Sequence, residues 1–477
     1  MRGRALRRSA FLVAVGLLFA SRDASAGGLQ QSDRGVRPLG RGGAFVAGAD
    51  DLGAIWYNPA GIHDAGSSVL LDSNVVLFHG EFTRRTLLQD AEGRASFEST
   101  SPTVTGTNEF LPIPTVAGSY QFGDKKQYTV AAGVFGPQAI VPTWPESGAQ
   151  RYSIIDQTGS KLAFAGAWMS WKPLEWMQIG AGPMVLTGFY SAAIAFNANP
   201  KDRLLGAPED RTYDSVGQNN AGFIFAPGAN GGVTFTPHEY VRIGFSVQSP
   251  FTISTPARLL LSLPTAAPFD EATVVGDEAQ LRFKLPWVFR FGVEARPTED
   301  LRVEVAFTRD LWSRTQSFDV EAKNINIYGI KGFPSPFAVS SISIPLNFHD
   351  TTTYRLGGEY RLRNLMKFLD EQVDLQGRMG VSYDEAASPS EYLSAITFDT
   401  DRVHLSFGGS IYWGKHLRLD GLYMHSFMVP VDVDPRTAAV PGISPVKGNP
   451  TPVQPVNGGH YSGYINTIGV GANWRFD

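Results

Sequence analysis

His404 and Ser406 stand two residues apart in the run Arg402-Val403-His404-Leu405-Ser406-Phe407. On a strand that spacing puts both side chains on one face, where an imidazole could act as base to a serine nucleophile and cleave an ester. Spacing assigns no acid to orient the imidazole, so hydrolysis is a minor alternative. The other histidines lack metal-ligand spacing, the 477 residues include no cysteine, and no phosphate-binding glycine loop occurs. No catalytic residue, metal site or cofactor is therefore assigned. A second group of residues suggests binding instead. Met184 and Leu186, and further on Leu422, Met424 and Met428, share a face with Gln178, Arg418, Asp420 and Ser426. Flexible thioethers on an otherwise polar face suit an irregular apolar ligand, or contact with a plug.

These residues lie on strands. The chain alternates near 69–79, 111–122, 127–136, 161–172, 176–196, 219–236, 240–263, 278–297, 301–320, 351–362, 373–384, 401–413, 416–428 and 461–476. Fourteen is an even number, as expected of a bacterial single-chain barrel. In the last strand Tyr464, Ile468, Val470, Ala472, Trp474 and Phe476 oppose Thr467, Gly469, Gly471, Asn473 and Arg475. Strand eight reads as Leu281, Phe283, Leu285, Trp287, Phe289, Phe291 and Val293 against Arg282, Lys284, Arg290, Glu294 and Arg296. Tight polar turns follow strands two, four, six, eight and twelve, for example Gly123-Asp124-Lys125-Lys126 and Gly414-Lys415. A medium link, Arg363 to Gln372, follows strand ten, and long segments such as 81–110, 137–160 and 429–460 follow odd strands. A soluble sandwich has no reason for that asymmetry, whereas an outer-membrane barrel places its long loops outside the cell. With no apolar stretch long enough for a spanning helix, a closed barrel is the available way across. The expected fold is an all-β, fourteen-stranded antiparallel transmembrane barrel over residues 67–477.

At the front, Arg2, Arg4, Arg7 and Arg8 precede the apolar run Ala10 to Ala20 and the triplet Ala24-Ser25-Ala26, a signal peptide over 1–26. Its removal takes Lys+Arg from 41 to 36 and Asp+Glu from 45 to 44, leaving a formal charge of about −8, which disfavours a nucleic-acid partner. Residues 27–66 do not alternate. They are rich in Gly yet carry Phe45, Ile55, Trp56 and Tyr57, whose burial a compact plug inside the barrel would provide. Asn58-Pro59-Ala60 punctuates that segment as a rigid turn.

Gly40 to Phe45, Ala49-Asp50-Asp51 and Asn58-Pro59-Ala60, with Gly380-Val381-Ser382-Tyr383-Asp384, Pro389 and Asp399-Thr400-Asp401-Arg402, resemble the hatch and late-strand signatures of the FadL-like outer-membrane transporters of long-chain fatty acids and aromatic hydrocarbons. Phe398 departs from the family's frequent Pro, and Asp477 follows the terminal Phe476. The resemblance implies passive uptake of a hydrophobic small molecule, with Phe45, Trp56, Tyr57, Asn58, Pro59 and Ala60 as the hatch. It also implies lateral exit at a kink in the third strand, here Gly133, Phe135, Gly136 and Pro137. Gly133 could equally pack closely against the plug. Expected partners are the hydrophobic ligand, outer-membrane lipid and, during insertion, the barrel-assembly machinery, around a monomer. A hydrophilic diffusion porin is the main alternative. If the leader is cut as expected, N-terminal sequencing of the mature protein begins at Gly27.

Overall fold

A computed structural model describes residues 33–89, 96–137, 142–198, 211–443 and 455–476. The expected signal peptide and the first residues of the expected hatch lie outside that range.

Fourteen strands close into one antiparallel wall. They are β1 (Ser68–Gln89), β2 (Pro112–Phe122), β3 (Tyr128–Phe135), β4 (Lys161–Leu174), β5 (Met177–Phe189), β6 (Ile224–His238) and β7 (Val241–Gln248), followed by β8 (Val288–Ala295), β9 (Leu301–Asp310), β10 (Thr351–Phe368), β11 (Glu371–Asp384), β12 (Arg402–Trp413), β13 (Leu417–Val433) and β14 (Gly459–Arg475). Each pairs with its neighbours in sequence, and β14 closes on β1 from Ser68↔Arg475 to Arg84↔Gly459. Closure removes the free edge that an open sheet would expose to lipid. The wall's outer face is apolar: Leu405, Phe407, Ile411, Tyr464, Ile468, Val470 and Trp474 are exposed, whereas Arg402, His404, Ser410, Thr467 and Asn473 are buried. Alternation thus assigned the faces of the last strand correctly.

The link after β10 differs from expectation. The ladder continues past Leu362 through a register shift to Phe368↔Glu371, leaving Leu369-Asp370 as a two-residue turn. Both turn residues have positive φ, 51° and 63°, as a tight hairpin of that length requires.

Above the lipid-facing band, several expected single strands are two. Strand eight divides into Glu278–Leu285 and β8, separated by Pro286-Trp287; strand seven divides at Ser249-Pro250 into β7 and Phe251–Ser262. Together with Ser191–Asn197, Asp214–Ala221, Ser317–Ala322 and Ile342–Pro345, the upper pieces form a six-stranded sheet in the same order as the wall beneath. Side-chain polarity reverses there. Leu281, Phe251, Ile253, Leu259, Phe318, Val320, Ile342 and Ile344 point inward, while Arg282, Lys284 and Arg258 point out. Lipid below and water above explain the change, because an outer face must match its solvent. Continuous alternation through Pro286 hid it: Leu285 and Val288 both point inward although they are three positions apart, so the break shifts the alternation by one and moves every later side chain to the other face. Phe407→Arg, on the lipid face, is expected to lower stability by roughly 2–4 kcal/mol in urea unfolding from vesicles. Lys284→Ala, on an outward position above the reversal, should change it by no more than about 0.5 kcal/mol.

Candidate functional site

Residues 33–66 fill the lower lumen as a hatch of three one-turn helices, α1 (Val36–Leu39), α2 (Ala54–Tyr57) and α3 (Ile62–Ala65), with a 3-10 turn at Pro59–Gly61. Such short helices are not stable alone; their hold comes from the wall. All six expected hatch residues are buried.

Asn58 is the junction. Its Nδ2 donates to Val46 O (2.9 Å), Val233 O (3.2 Å) and Thr234 Oγ1 (3.0 Å), while its Oδ1 accepts from Ala60 N (3.2 Å). Pro59 starts the 3-10 turn, where a missing N–H costs nothing. The wall meets this turn with glycine: a Cβ on Gly180 would lie 2.2 Å from Pro59 O, and one on Gly232 would lie 2.3 Å from Asn58 Oδ1. Ser170 and Ser246 donate to Ala60 O (2.8 Å) and Tyr57 O (2.5 Å).

The hatch has two unlike sides. Toward β8–β13 it is held by buried charge. Arg41, fully buried, reaches Glu294 Oε2 (2.9 Å), Glu304 Oε2 (3.3 Å) and Glu359 Oε1 (3.5 Å). Glu304 also accepts from the backbone N–H groups of Val46, Ala47 and Gly48 at 2.7–2.9 Å. Arg37 joins Glu359 (2.8 Å), Asp51 (3.1 Å) and Asp50; Arg418 joins Asp51 (2.7 Å), and Arg302 joins Asp50 (2.6 Å), Glu294 and Glu359 (both 3.0 Å). Toward β3 and β4 the contact is aromatic: Trp56 lies 5.6 Å from Phe135 and 5.4 Å from Phe164 by ring centroid, and Phe164 leads up to Phe251 (5.2 Å). Sequence reasoning placed Arg290 and Glu294 on one face but did not match them to the hatch residues Arg37, Arg41, Asp50 and Asp51. The legible signal was inward charge crowded into strands eight to thirteen opposite a charged plug.

The late-strand signature folds the β11–β12 loop back on itself. Asp399 accepts from Ala387 N (2.8 Å) and Ser388 N (3.1 Å), and Asp401 from Ala386 N (3.2 Å) and the Tyr383 hydroxyl (2.6 Å). Burial pushes the Asp401 carboxyl up to about 6, with Glu385 adding to the rise and the Tyr383 bond opposing it. Phe398 adopts φ 41° and packs on Phe78, Trp144 and Tyr461.

The five expected ligand-pocket residues do not meet. Met184 and Leu186 join the large apolar interior with Trp56, Phe164 and Phe251. Leu422 and Met424 pack on Val36 and Leu39 of α1, and Met428 belongs to a separate cluster with Phe82, Phe398 and Tyr461.

At the third strand, β3 stops after eight residues at Phe135, before Gly136-Pro137. Gly136 N still donates to Pro114 O (3.0 Å), but the β3–β4 ladder ends at Phe135↔Phe164. Below that end both ladders run unbroken past Gly133, where a Cβ would lie 3.1 Å from Ile55 Cδ1 of the hatch. A second weak place lies between β4 and β5: pairing is missing where Ala167 and Trp168 face Gly182 and Pro183, which has no N–H to give. Beside it a cleft of about 680 Å³ passes the outward Tyr120, Val130 and Met169 and reaches the buried Trp168. Trp168 Nε1 donates to Asn230 Oδ1 (2.6 Å), whose Nδ2 donates to Ile55 O (2.8 Å), tying this seam to α2.

His404 does not pair with Ser406. Its Nδ1 lies 2.6 Å from Ser426 Oγ on the neighbouring strand and its Nε2 lies 3.1 Å from Asp384 Oδ2. The roles resemble a triad, but Ser426 is fully enclosed between ladder partners His404 and Ile465.

A closed fourteen-stranded barrel with a lipid-matched outer band and a hatch ion-paired into its lumen is an outer-membrane transport barrel. Residues 17–452 match the outer membrane protein transport protein family (OMPP1/FadL/TodX), and the chain belongs to that family. Its fold is similar to a Pseudomonas aeruginosa FadL homologue, at 15% identity over 94% of this chain and 100% of that one, TM-score 0.71. It is also similar to the P. putida toluene transporter TodX (15% identity, 95% and 99% covered, TM-score 0.60) and the Ralstonia pickettii toluene transporter TbuX (15%, 93% and 99%, 0.53). No curated protein sequence matches. Arg41→Met removes the cation that faces Glu304, while Glu294 and Glu359 keep Arg302; breaking a buried pair in this way costs roughly 3–5 kcal/mol. It should loosen the hatch, read as more frequent open-channel events in planar bilayers.

Proposed function

We propose that the protein carries hydrophobic small molecules passively inward across the outer membrane, taking long-chain fatty acids or similar lipids and hydrocarbons. One observation carries this reading: the inner surface above the hatch is apolar, from Phe251 and Ile253 through Leu281, Phe318, Val320, Ile342 and Ile344. A diffusion porin needs a polar, water-filled lumen, and such a lining would dewet it. A ligand captured among the extracellular segments would partition into this lining at about 25 cal/mol per Å² of apolar surface removed from water.

Release follows when the hatch shifts. The charged side holds α1 and the Asp50-Asp51 corner, so the side that yields is the aromatic contact of Trp56 with Phe135 and Phe164. That movement would free the end of β3 at Gly133, Phe135, Gly136 and Pro137, giving lateral exit into the bilayer. Met184 and Leu186 line the route, whereas Leu422, Met424 and Met428 serve the fit of hatch and loops. The working form is a monomer, delivered with a signal peptide over 1–26 and inserted by the barrel-assembly machinery, with lipid around its outer face.

The test is reconstitution in liposomes. Uptake of a hydrophobic tracer should exceed that of protein-free vesicles while small sugars stay excluded. Free sugar flux with no binding of any amphiphile would instead identify a porin.

A further inference from the structure

The apolar lining above the hatch contains one polar side chain that nothing in the protein answers. Among the described residues the six-stranded upper sheet buries three polar side chains, Ser215, Asn219 and Thr255. Ser215 Oγ donates to Ser262 O (2.6 Å) and Thr255 Oγ1 to Phe223 O (3.0 Å). Asn219, 5% exposed, has no partner for Nδ2 and none for Oδ1. Other buried asparagines use both ends of the amide. Asn230 Oδ1 accepts from Trp168 Nε1 (2.6 Å) while its Nδ2 donates to Ile55 O (2.8 Å); Asn457 Oδ1 accepts from Val440 N (3.0 Å) while its Nδ2 donates to Glu391 O and Leu393 O (both 2.8 Å). Among the described residues, Asn219 alone has a buried side-chain amide unmet at both ends.

Its surroundings are apolar. Asn219 lies on the strand Asp214–Ala221, paired with Ala192 on one side and Leu259 on the other. Val216 and Gln218 alternate outward, so Asn219 shares the inner face with Gly217 and Ala221. The Phe196 ring covers Gly217, where a Cβ would lie 2.2 Å from Cε2. Ile194, Ile253, Leu259 and Leu281 are buried on the inner faces nearby. An amide enclosed in this way gives up its bonds to water and gains none, whereas a leucine would fill the place without that loss. What is missing is an acceptor for Nδ2–H and, beside it, a donor for Oδ1. A carboxamide offers both in matching order, so two parallel bonds form. An ionised carboxylate has no proton to give Oδ1, and a ketone or a hydrocarbon has none either.

We propose that Asn219 is a specificity-determining residue of the upper lumen, pairing with the carboxamide head of an uncharged amphiphile whose alkyl part lies against Ile253, Leu259 and Leu281. This rests on the uptake reading above and narrows it: a neutral head that donates and accepts side by side is selected over an equally apolar cargo that only accepts.

The test uses radiolabelled decanamide and methyl nonyl ketone, which have the same shape and differ by NH2 against CH3. Binding is measured on the full-length protein in micelles, against protein-free micelles. Partition into the micelle is common to every variant, so changes in the ratio of the two affinities report on the protein alone. That ratio should favour decanamide about tenfold or more in the native protein relative to Asn219→Leu, as two added hydrogen bonds imply. Asn219→Ala should lower it likewise, and Thr255→Val, which removes a hydroxyl already bonded within the sheet, should leave it within about twofold. The assignment is refuted if a folded Asn219 variant, with native heat-modified gel mobility, keeps the native ratio, the result expected if ordered water alone answers the amide. It is refuted too if Thr255→Val lowers the ratio equally, or if both Asn219 variants fail to fold, since the amide would then serve the fold. If neither ligand binds the native protein, the uptake reading fails and this assignment with it; if both bind and the ratio does not move, only the assignment fails.

Discussion

The charge lattice around Arg41 is the constraint on which the rest depends. A fully buried guanidinium among Glu294, Glu304 and Glu359 is tolerable only because each charge has a partner and each carboxylate further donors. Burying such groups separately would cost several kcal/mol each, so hatch and wall must be completed together. The lattice also explains the inner face of β8–β13. Their inward positions are charged because they meet a plug, not because they line a water-filled pore. Replacing the lattice with apolar packing could be neutral in stability, but it would give up the register that aligns a small, helix-poor segment inside a large barrel.

That register divides the hatch into a side held by ion pairs and a side held by aromatic contact. Salt bridges on one side are directional and fail steeply when stretched. Aromatic contacts between Trp56, Phe135 and Phe164 slide at smaller cost, and the adjoining wall is where β3 ends early and where the β4–β5 ladder is interrupted at Pro183. Weak wall and weak hatch contact coincide on β3–β5. For an apolar cargo this has a clear physical sense. Lipid is a better destination than water, so an opening in the wall at bilayer depth is downhill, whereas a path through the charged floor is not.

Much of this was legible in the sequence, and the misses have definite causes. The faces of β14 followed from alternation, because no insertion breaks its ladder with β1. The 278–297 stretch misled because Pro286-Trp287 preserves apparent alternation while exchanging inside for outside. His404 was read with Ser406 through adjacency along one strand, yet its partners, Ser426 and Asp384, come from the strands on either side. Met184, Leu186, Leu422, Met424 and Met428 look alike in sequence, but their strands stand at different points around the barrel, and they fall into three separate packing clusters.

By itself the sequence determined the solvent and the closure. Period-two alternation, fourteen strands, short and long connections in turn, and an aromatic-capped last strand allow only a barrel in lipid with something apolar and Gly-rich inside it. Tertiary structure decided how that inside is used. Which charges neutralise which and where the inner lining turns from charged to apolar are relations between residues far apart in the chain, such as Asp51 with Arg418, 367 positions away. A local pattern records which way a side chain points; only the closed wall determines what it then meets.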